Sequence, residues 1–430
     1  MPMQAELKYG HSSLKIDLPD TIHWQVLSKT ILSSPHSQTD IISQAVNDLV
    51  LKIERDSPPR NPSVLIIVPD HTRLCQLPLV LPLLTRKLED VFSARISILV
   101  ANGSHVLQPR ETIKSLVGEE IYDTYPVEQH DCRDRQTLVH VGTSSYGTPF
   151  YLNKRVPEAD VVVTVSAILF HYFAGFGGGP KMIMPGVAGY ETIRINHRRT
   201  IDPRTGTFHT GCNDGNLDSN PVYRDLVEIM QFTPRCNSIQ VALDVNGEIV
   251  KAEAGALVEA QREIVRFVRD AYSIRLERRA RVVIASAGGF PRDVNLIQAH
   301  KAIHHAFQAV EEGGFLVVVA ECREGIGSNT FMEYFTGGSA TEIGVRLLDD
   351  YKINGHTALA LKTKTEKAHI VFVSALDEAM VKRTGMIPEK SVDQALSRVL
   401  ENISAGEMGY ILPLASLFVP HLAKALPDLW

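Results

Sequence analysis

The sequence is poor in cysteine, in blocks of basic residues and in long apolar runs. Its five cysteines (Cys75, Cys132, Cys212, Cys236 and Cys322) are scattered through 430 residues, with no C-x-x-C pair. That spacing argues against a disulfide framework and a thiolate zinc site, and makes a reducing cytoplasm the simplest setting. The net charge is −5 and no long basic block stands out, so nucleic-acid binding has no electrostatic support. The most apolar late stretch, YILPLASLFVPHLAKAL, is broken by Pro413 and Pro420 and is no membrane span. The N-terminal MPMQAELKYGHSS lacks the charged-then-apolar pattern of a secretory signal. There is no G-x-G-x-x-G opening a helix after a strand, no H-E-x-x-H and no internal repeat.

What is present reads as a globular α/β protein. Hydrophobic residues make up 44 % and charged residues 22 %, and a chain of 430 residues suggests two or three domains. SVLIIVPD (63–70), ARISILVANGSH (94–105), ADVVVTVSAILFH (159–171) and SIQVALDV (238–245) read as strands. Their apolar residues run on rather than alternate, which predicts parallel sheets covered on both faces. Segments 73–90 and 110–117 have helical spacing, as does 255–272. The pattern restarts with RVVIASAGG (281–289), a helix over 296–314 with a glycine stop, and strands at 315–325 and 368–376. The charged SIRLERRAR places a boundary near 274–280. We therefore expect an N-terminal α/β domain over 1–275, joined by the tail 400–430, and a C-terminal α/β domain over 280–399.

Several polar residues fall just past strand ends, where parallel sheets place their sites. They are Asp70 and Arg73 in PDHTR, His105 in ANGSH, His171, Lys181, His197, and, in the second half, Gln298 and Lys301. Each also has an ordinary structural reading. Asp70 could cap the next helix, Arg73 could be a surface cation, and a lone histidine is more often structural than a ligand. Lys181 alone would be solvated, and Gln298 and Lys301 could form an exposed helix face. GFGGGPKM approximates a phosphate loop but has Pro180 where glycine is required and Met182 where Ser or Thr is required. Gly177, Gly178 and Gly179 can take positive φ and offer N–H groups to an anion such as a mononucleotide phosphate, or simply reverse the chain.

Taken together these residues become recognisable. HYFAGFGGGPKMIMPGVAGYETIRINH, with His171, Lys181 ten residues later and His197 sixteen after that, resembles the signature of the lactate racemase family of nickel-pincer-nucleotide enzymes. The D-x-T-R motif (Asp70 to Arg73), the Gly103-to-His105 turn and Q-x-x-K (Gln298 and Lys301) after GGFPRDVN also appear in order, with KYG opening the chain at 8–10. The resemblance covers nearly the whole chain. It implies two α/β domains with the cofactor and active site in the cleft between them. It implies that Lys181 holds the nickel-pincer nucleotide covalently, with Gly177, Gly178 and Gly179 and a buttressing Asp70 around it. His197 would be the single protein ligand to nickel, and cofactor-biosynthesis proteins would load the group. His105 and His171 would be the paired acid–base catalysts, and Arg73, Gln298 and Lys301 would hold a substrate carboxylate.

The chemistry agrees with that assignment. Square-planar Ni(II) needs four donors, and a pincer supplying three leaves one imidazole to complete the plane. Desolvation in the apolar-flanked FGGGPKMIM would favour a neutral, nucleophilic Lys181. The C2 hydrogen of a 2-hydroxy acid is hard to remove as a proton beside an anionic carboxylate, and easier to remove as a hydride. Two enantiomers present their hydroxyls on opposite sides, so two histidines are required. The sequence departs from the family at Ile297, where an aromatic residue is expected before Gln298, and at Gly177 and Pro180. The substrate is therefore open among lactate, longer 2-hydroxy acids, malate and sugar acids. Two competing readings are a metal-free two-base racemase and a non-catalytic nucleotide or hydroxy-acid sensor.

Overall fold

The structure of the chain, a computed structural model, describes residues 3–31 and 35–423. It divides into two compact α/β units. The first comprises Ile31–Arg199 and Gly211–Asp270, and the second comprises Met1–Thr30, Thr200–Thr210 and Ala271–Trp430. Among the described residues no helix is long and apolar enough to cross a membrane, and all five cysteines are free thiols.

The first unit is built on a six-stranded sheet. Its order is Ile249–Ala256, Cys236–Leu243, Val161–Ala167, Ser63–Pro69, Arg95–Ala101, Val127–Gln129. Neighbours are parallel except for the antiparallel edge strand Ile249–Ala256. The central strands Ser63–Pro69 and Val161–Ala167 are buried almost end to end, which is why their sequences run apolar without alternation. The helix Gln38–Arg55 starts where the Ser37 side chain accepts the amide of Asp40, and it buries Ile42, Val46, Leu49 and Ile53 at three- and four-residue intervals. Each such side chain contributes about 1.5–3 kcal/mol by leaving water.

The second unit has its own six-stranded sheet, parallel throughout. The order is Ile387–Glu389, His369–Val373, Val310–Val319, Ala280–Ser286, Met408–Leu412, His23–Val26. Here the structure corrects the sequence reading. The tail does not return to the first unit: Met408–Leu412 pairs with Ala280–Ser286, and the N-terminal strand His23–Val26 pairs with it in turn. Ala280–Ser286 is buried on both faces, and an unpaired edge there would leave backbone polar groups without partners. The end of the tail, 424–430, lies outside the described residues.

Two elements also end early. The helix expected over 296–314 stops at Phe307, and Val310–Val319 is a strand. Its pairing with Ala280–Ser286 jumps register at the Gly313–Gly314 pair, and a Cβ on Gly314 would stand 2.9 Å from the carbonyl of Arg281. The strand expected over 159–171 ends at Ala167. Phe170–His171 instead forms a short antiparallel pair with Gly175–Phe176.

Candidate active site

The sheet of the first unit has a switch point. From Ser63–Pro69 the chain moves to one side, to Arg95–Ala101, whereas the later strand Val161–Ala167 lies on the other side. Crevices in parallel sheets open at the carboxyl ends of strands beside such a divergence. Asp70 and Arg73 follow the first of these strands, His105 the second, and His171 the third.

Asp70 does not cap the following helix, whose N-cap is Gln76. It closes its own turn. One carboxylate oxygen accepts the Thr72 amide at 2.9 Å and the Thr72 hydroxyl at 2.6 Å, and the other meets His105 Nδ1 at 2.5 Å. Burial to 3 % exposure pushes the Asp70 carboxyl up. The charge and hydrogen bond of His105, the Arg73 guanidinium and the Thr72 side chain outweigh it, and hold the group well below the usual carboxylate range. An anionic Asp70 on Nδ1 fixes the proton there and turns the lone pair of His105 onto Nε2. The His105 side chain remains 40 % exposed. Its turn is held by Gly103, at φ +55°, whose amide donates to the carbonyl of Gly186, and by the His105 amide on Asn102.

His171 and Lys181 meet directly. Lys181 Nζ lies 3.1 Å from His171 Nε2 and 4.8 Å from the centroid of the Phe173 ring. Lys181 is part-buried rather than fully solvated: desolvation, and then the positive charge of Arg73, push its ammonium well below the ordinary lysine range. Both causes disfavour its charged form. Two of the glycines before it bond their amides within the loop. Gly177 donates its amide to Leu169 O at 2.8 Å, and Gly179 donates to Ser166 Oγ at 3.0 Å. Gly178 sits at φ +68°, and a Cβ there would lie 2.5 Å from the carbonyl of Ala167. These glycines let the loop fold back onto the end of its own strand, which carries Lys181 into the unit beside His171.

His197 lies in the last turn of the helix Tyr190–Arg198 and is buried to 8 % exposure. Its Nδ1 is 3.1 Å from Asn196 Oδ1. The Phe173 ring makes edge contacts with both imidazoles, centroid to centroid 4.4 Å to His171 and 5.0 Å to His197. One aromatic ring thus touches His171, Lys181 and His197. Sequence reasoning passed over Phe173, although it stands two residues after His171 in the glycine-rich segment. It also passed over Asn196 and Asp225, the second of which has no local signal. Among the described residues no group of three or more His, Cys, Asp or Glu side chains is arranged to hold a metal ion.

Gln298 and Lys301 lie in the second unit, on the helix Leu296–Phe307, whose N-cap Asn295 accepts the Gln298 amide. Lys301 Nζ donates to Gln298 Oε1 at 2.6 Å, and Gln298 is buried rather than on an exposed face. The KYG segment has a structural task in the same unit. The carbonyl of Gly10 accepts the Phe290 amide, its amide donates to the Asp293 carboxylate at 2.7 Å, and Lys8 O accepts the Ser286 hydroxyl. Gly289, at φ +70°, is needed there because a Cβ would stand 2.8 Å from Gly10 O. KYG therefore pins the GGFPRDVN loop that leads into the Gln298 helix.

Comparison with known proteins agrees over most of the chain. The lactate racemase N-terminal domain family matches residues 9–207, and the lactate racemase C-terminal domain family matches residues 276–411. The lactate racemase of Thermoanaerobacterium thermosaccharolyticum is 31 % identical over 77 % of this chain and 77 % of its own length. That of Lactiplantibacillus plantarum is 30 % identical over 78 % of this chain and 80 % of its own. The solved lactate racemase apoprotein from T. thermosaccharolyticum superposes with a TM-score of 0.84 at 26 % identity, covering 97 % of this chain and all (100 %) of that one. A Thermotoga maritima protein shares the fold at a TM-score of 0.69 and 14 % identity, over 91 % of this chain and 100 % of its own.

Proposed function

The chain belongs to the lactate racemase family, and from that premise we propose that it inverts C2 of a small 2-hydroxy acid with a nickel-pincer nucleotide held on Lys181 and His197. It is an isomerase of the racemase class. The observation that carries the finer reading is Lys181. A part-buried lysine whose ammonium is disfavoured by burial and by a neighbouring cation, 3.1 Å from an imidazole, is suited to act as a nucleophile.

The residues fit the group. A neutral Lys181 amine can form the covalent link, and a buried imidazole whose Nδ1 is met by an amide oxygen is a suitable ligand to a borderline metal. The chemistry such a group supplies when bound is reversible acceptance of the C2 hydrogen with its electron pair. The protein's own residues handle the rest. Arg73 offers the substrate carboxylate a two-pronged donor. In the second unit the Gln298–Lys301 couple, an amide and an ammonium, is a further candidate to bind a carboxylate. His105, held through Nδ1 by Asp70, takes or returns the hydroxyl proton of one enantiomer at Nε2, and His171 does so for the other. While Lys181 is unmodified its amine is bonded to His171, and modification of the lysine would change that contact.

Lactate heads the substrate candidates by likeness to the named relatives, and Ile297 makes longer 2-hydroxy acids the next to test. Loaded enzyme should be offered a panel of single-enantiomer 2-hydroxy acids, read by chiral chromatography, with intact mass and nickel content measured on the same sample. We expect inversion with the substrate's own C2 hydrogen retained, an adduct on Lys181 and bound nickel supplied by the cofactor-biosynthesis proteins. Solvent deuterium at C2 would favour metal-free racemisation by two bases. Active protein with neither adduct nor nickel would overturn the cofactor reading.

A further inference from the structure

We infer that Asn196 and Asp225 form a positioning relay that locks His197 with its proton on Nδ1 and its lone pair on Nε2. The inference rests on the proposed role of His197 as the metal ligand. It begins from a buried carboxylate. Asp225, on the helix Pro221–Glu228, is fully buried and receives four donors: Ser144 Oγ at 2.6 Å, Thr148 Oγ1 at 2.8 Å, Asn196 Nδ2 at 2.9 Å and Arg199 Nε at 2.9 Å. Arg199 is itself held by the carbonyl of Tyr146 and by Thr148 Oγ1. Held by four donors from two segments, 144–148 and 196–199, Asp225 cannot turn.

The next step is a matter of donor and acceptor type. Asn196 Nδ2 faces the Asp225 carboxylate and, at 3.0 Å, the carbonyl of Val222. Both are acceptors, so the nitrogen of the amide must be on that side and its oxygen on the other. That oxygen meets His197 Nδ1 at 3.1 Å. An amide oxygen only accepts, so Nδ1 must be the protonated nitrogen. The neutral ring then carries its lone pair on Nε2, in a T-shaped contact with the Phe173 ring. The relay fixes tautomer and ring rotation together, as partners behind metal-bound histidines do.

The test uses the full chain and does not depend on turnover. Long-range proton–nitrogen NMR on histidine-labelled apoprotein at pH 8, with His197 identified through His197→Gln, should show the Nδ1–H tautomer. A dominant Nε2–H tautomer in the wild type would overturn the inference. Asn196→Leu should lose the preference, and after loading should release nickel to a chelator about 10–100-fold faster than wild type, while the mass of the Lys181 adduct is unchanged. Asn196→Ser, too short to reach His197, serves in its place if Asn196→Leu does not fold. Wild-type nickel retention in either folded variant overturns the relay. A wild-type chain that takes up neither adduct nor nickel overturns instead the cofactor reading, and leaves the tautomer measurement to decide the relay.

Discussion

His105 and His197 are both held through Nδ1 in the same unit, yet by different means. His105 bears directly on a carboxylate, Asp70, and its side chain is 40 % exposed. His197 bears on a neutral amide, with the carboxylate of Asp225 one residue further back, and is almost wholly buried. A carboxylate against the ring stabilises the imidazolium that forms when the ring takes a proton, which suits the acid–base role proposed for His105. An amide against the ring aligns it without inviting that charge, which suits the metal-ligand role proposed for His197. The second arrangement needs burial and a chain of partners; the first needs only a turn of four residues and one neighbouring strand.

The widest break in this comparison comes from the amine beside these rings. Lys181→Ala should reduce C2 inversion to the background rate and abolish the mass adduct, measured by chiral chromatography and intact mass, while circular dichroism is unchanged. Next comes Asp70→Asn, which gives His105 the kind of neutral partner that His197 has. Turnover should fall about 10²–10⁴-fold, as when the carboxylate behind a catalytic histidine is neutralised, with nickel content kept. The same substitution has a mark in stability. The Asp70 carboxyl titrates lower in the folded chain than in the unfolded one. Its stabilising share is therefore complete above about pH 4, the unfolded carboxylate range, and is lost as pH falls through the folded titration. Urea curves of wild type and Asp70→Asn, separated at pH 6, should converge toward pH 2.

Phe173→Leu removes the ring that contacts His171, Lys181 and His197 while keeping an apolar side chain. Edge contacts of this kind are worth about 0.5–1.5 kcal/mol each, so turnover should fall roughly tenfold, without the tautomer change expected of Asn196→Leu. The smallest effect is on a titration. Arg73→Met takes away a cation that discourages protonation of Lys181, so the pH at which a small acylating reagent half-labels Lys181 should move up. An unmoved midpoint would mean that burial alone sets the amine.

Much of this was legible along the chain. The strands at 63–69, 161–167, 280–286 and 369–373 announced themselves because a strand covered on both faces must be apolar throughout. Asp70, Arg73, His105, His171 and Lys181 stood out because the ends of such strands are where a parallel sheet gathers its polar groups. Phe173 was hidden by its ordinary type, since an aromatic residue in an apolar segment looks like core.

Local pattern by itself determined the α/β class, the approximate elements and the clustering of His171, Lys181 and His197 in one segment, because periodicity and chain proximity act over a few residues. Only tertiary structure decided that the tail and the N-terminal strand complete the second sheet, that the glycines pack inward, and that Asp225 stands behind His197. Strand pairing, close backbone approach and a buried carboxylate's choice of donors are made between residues far apart in sequence, by the requirement that buried polar groups find partners.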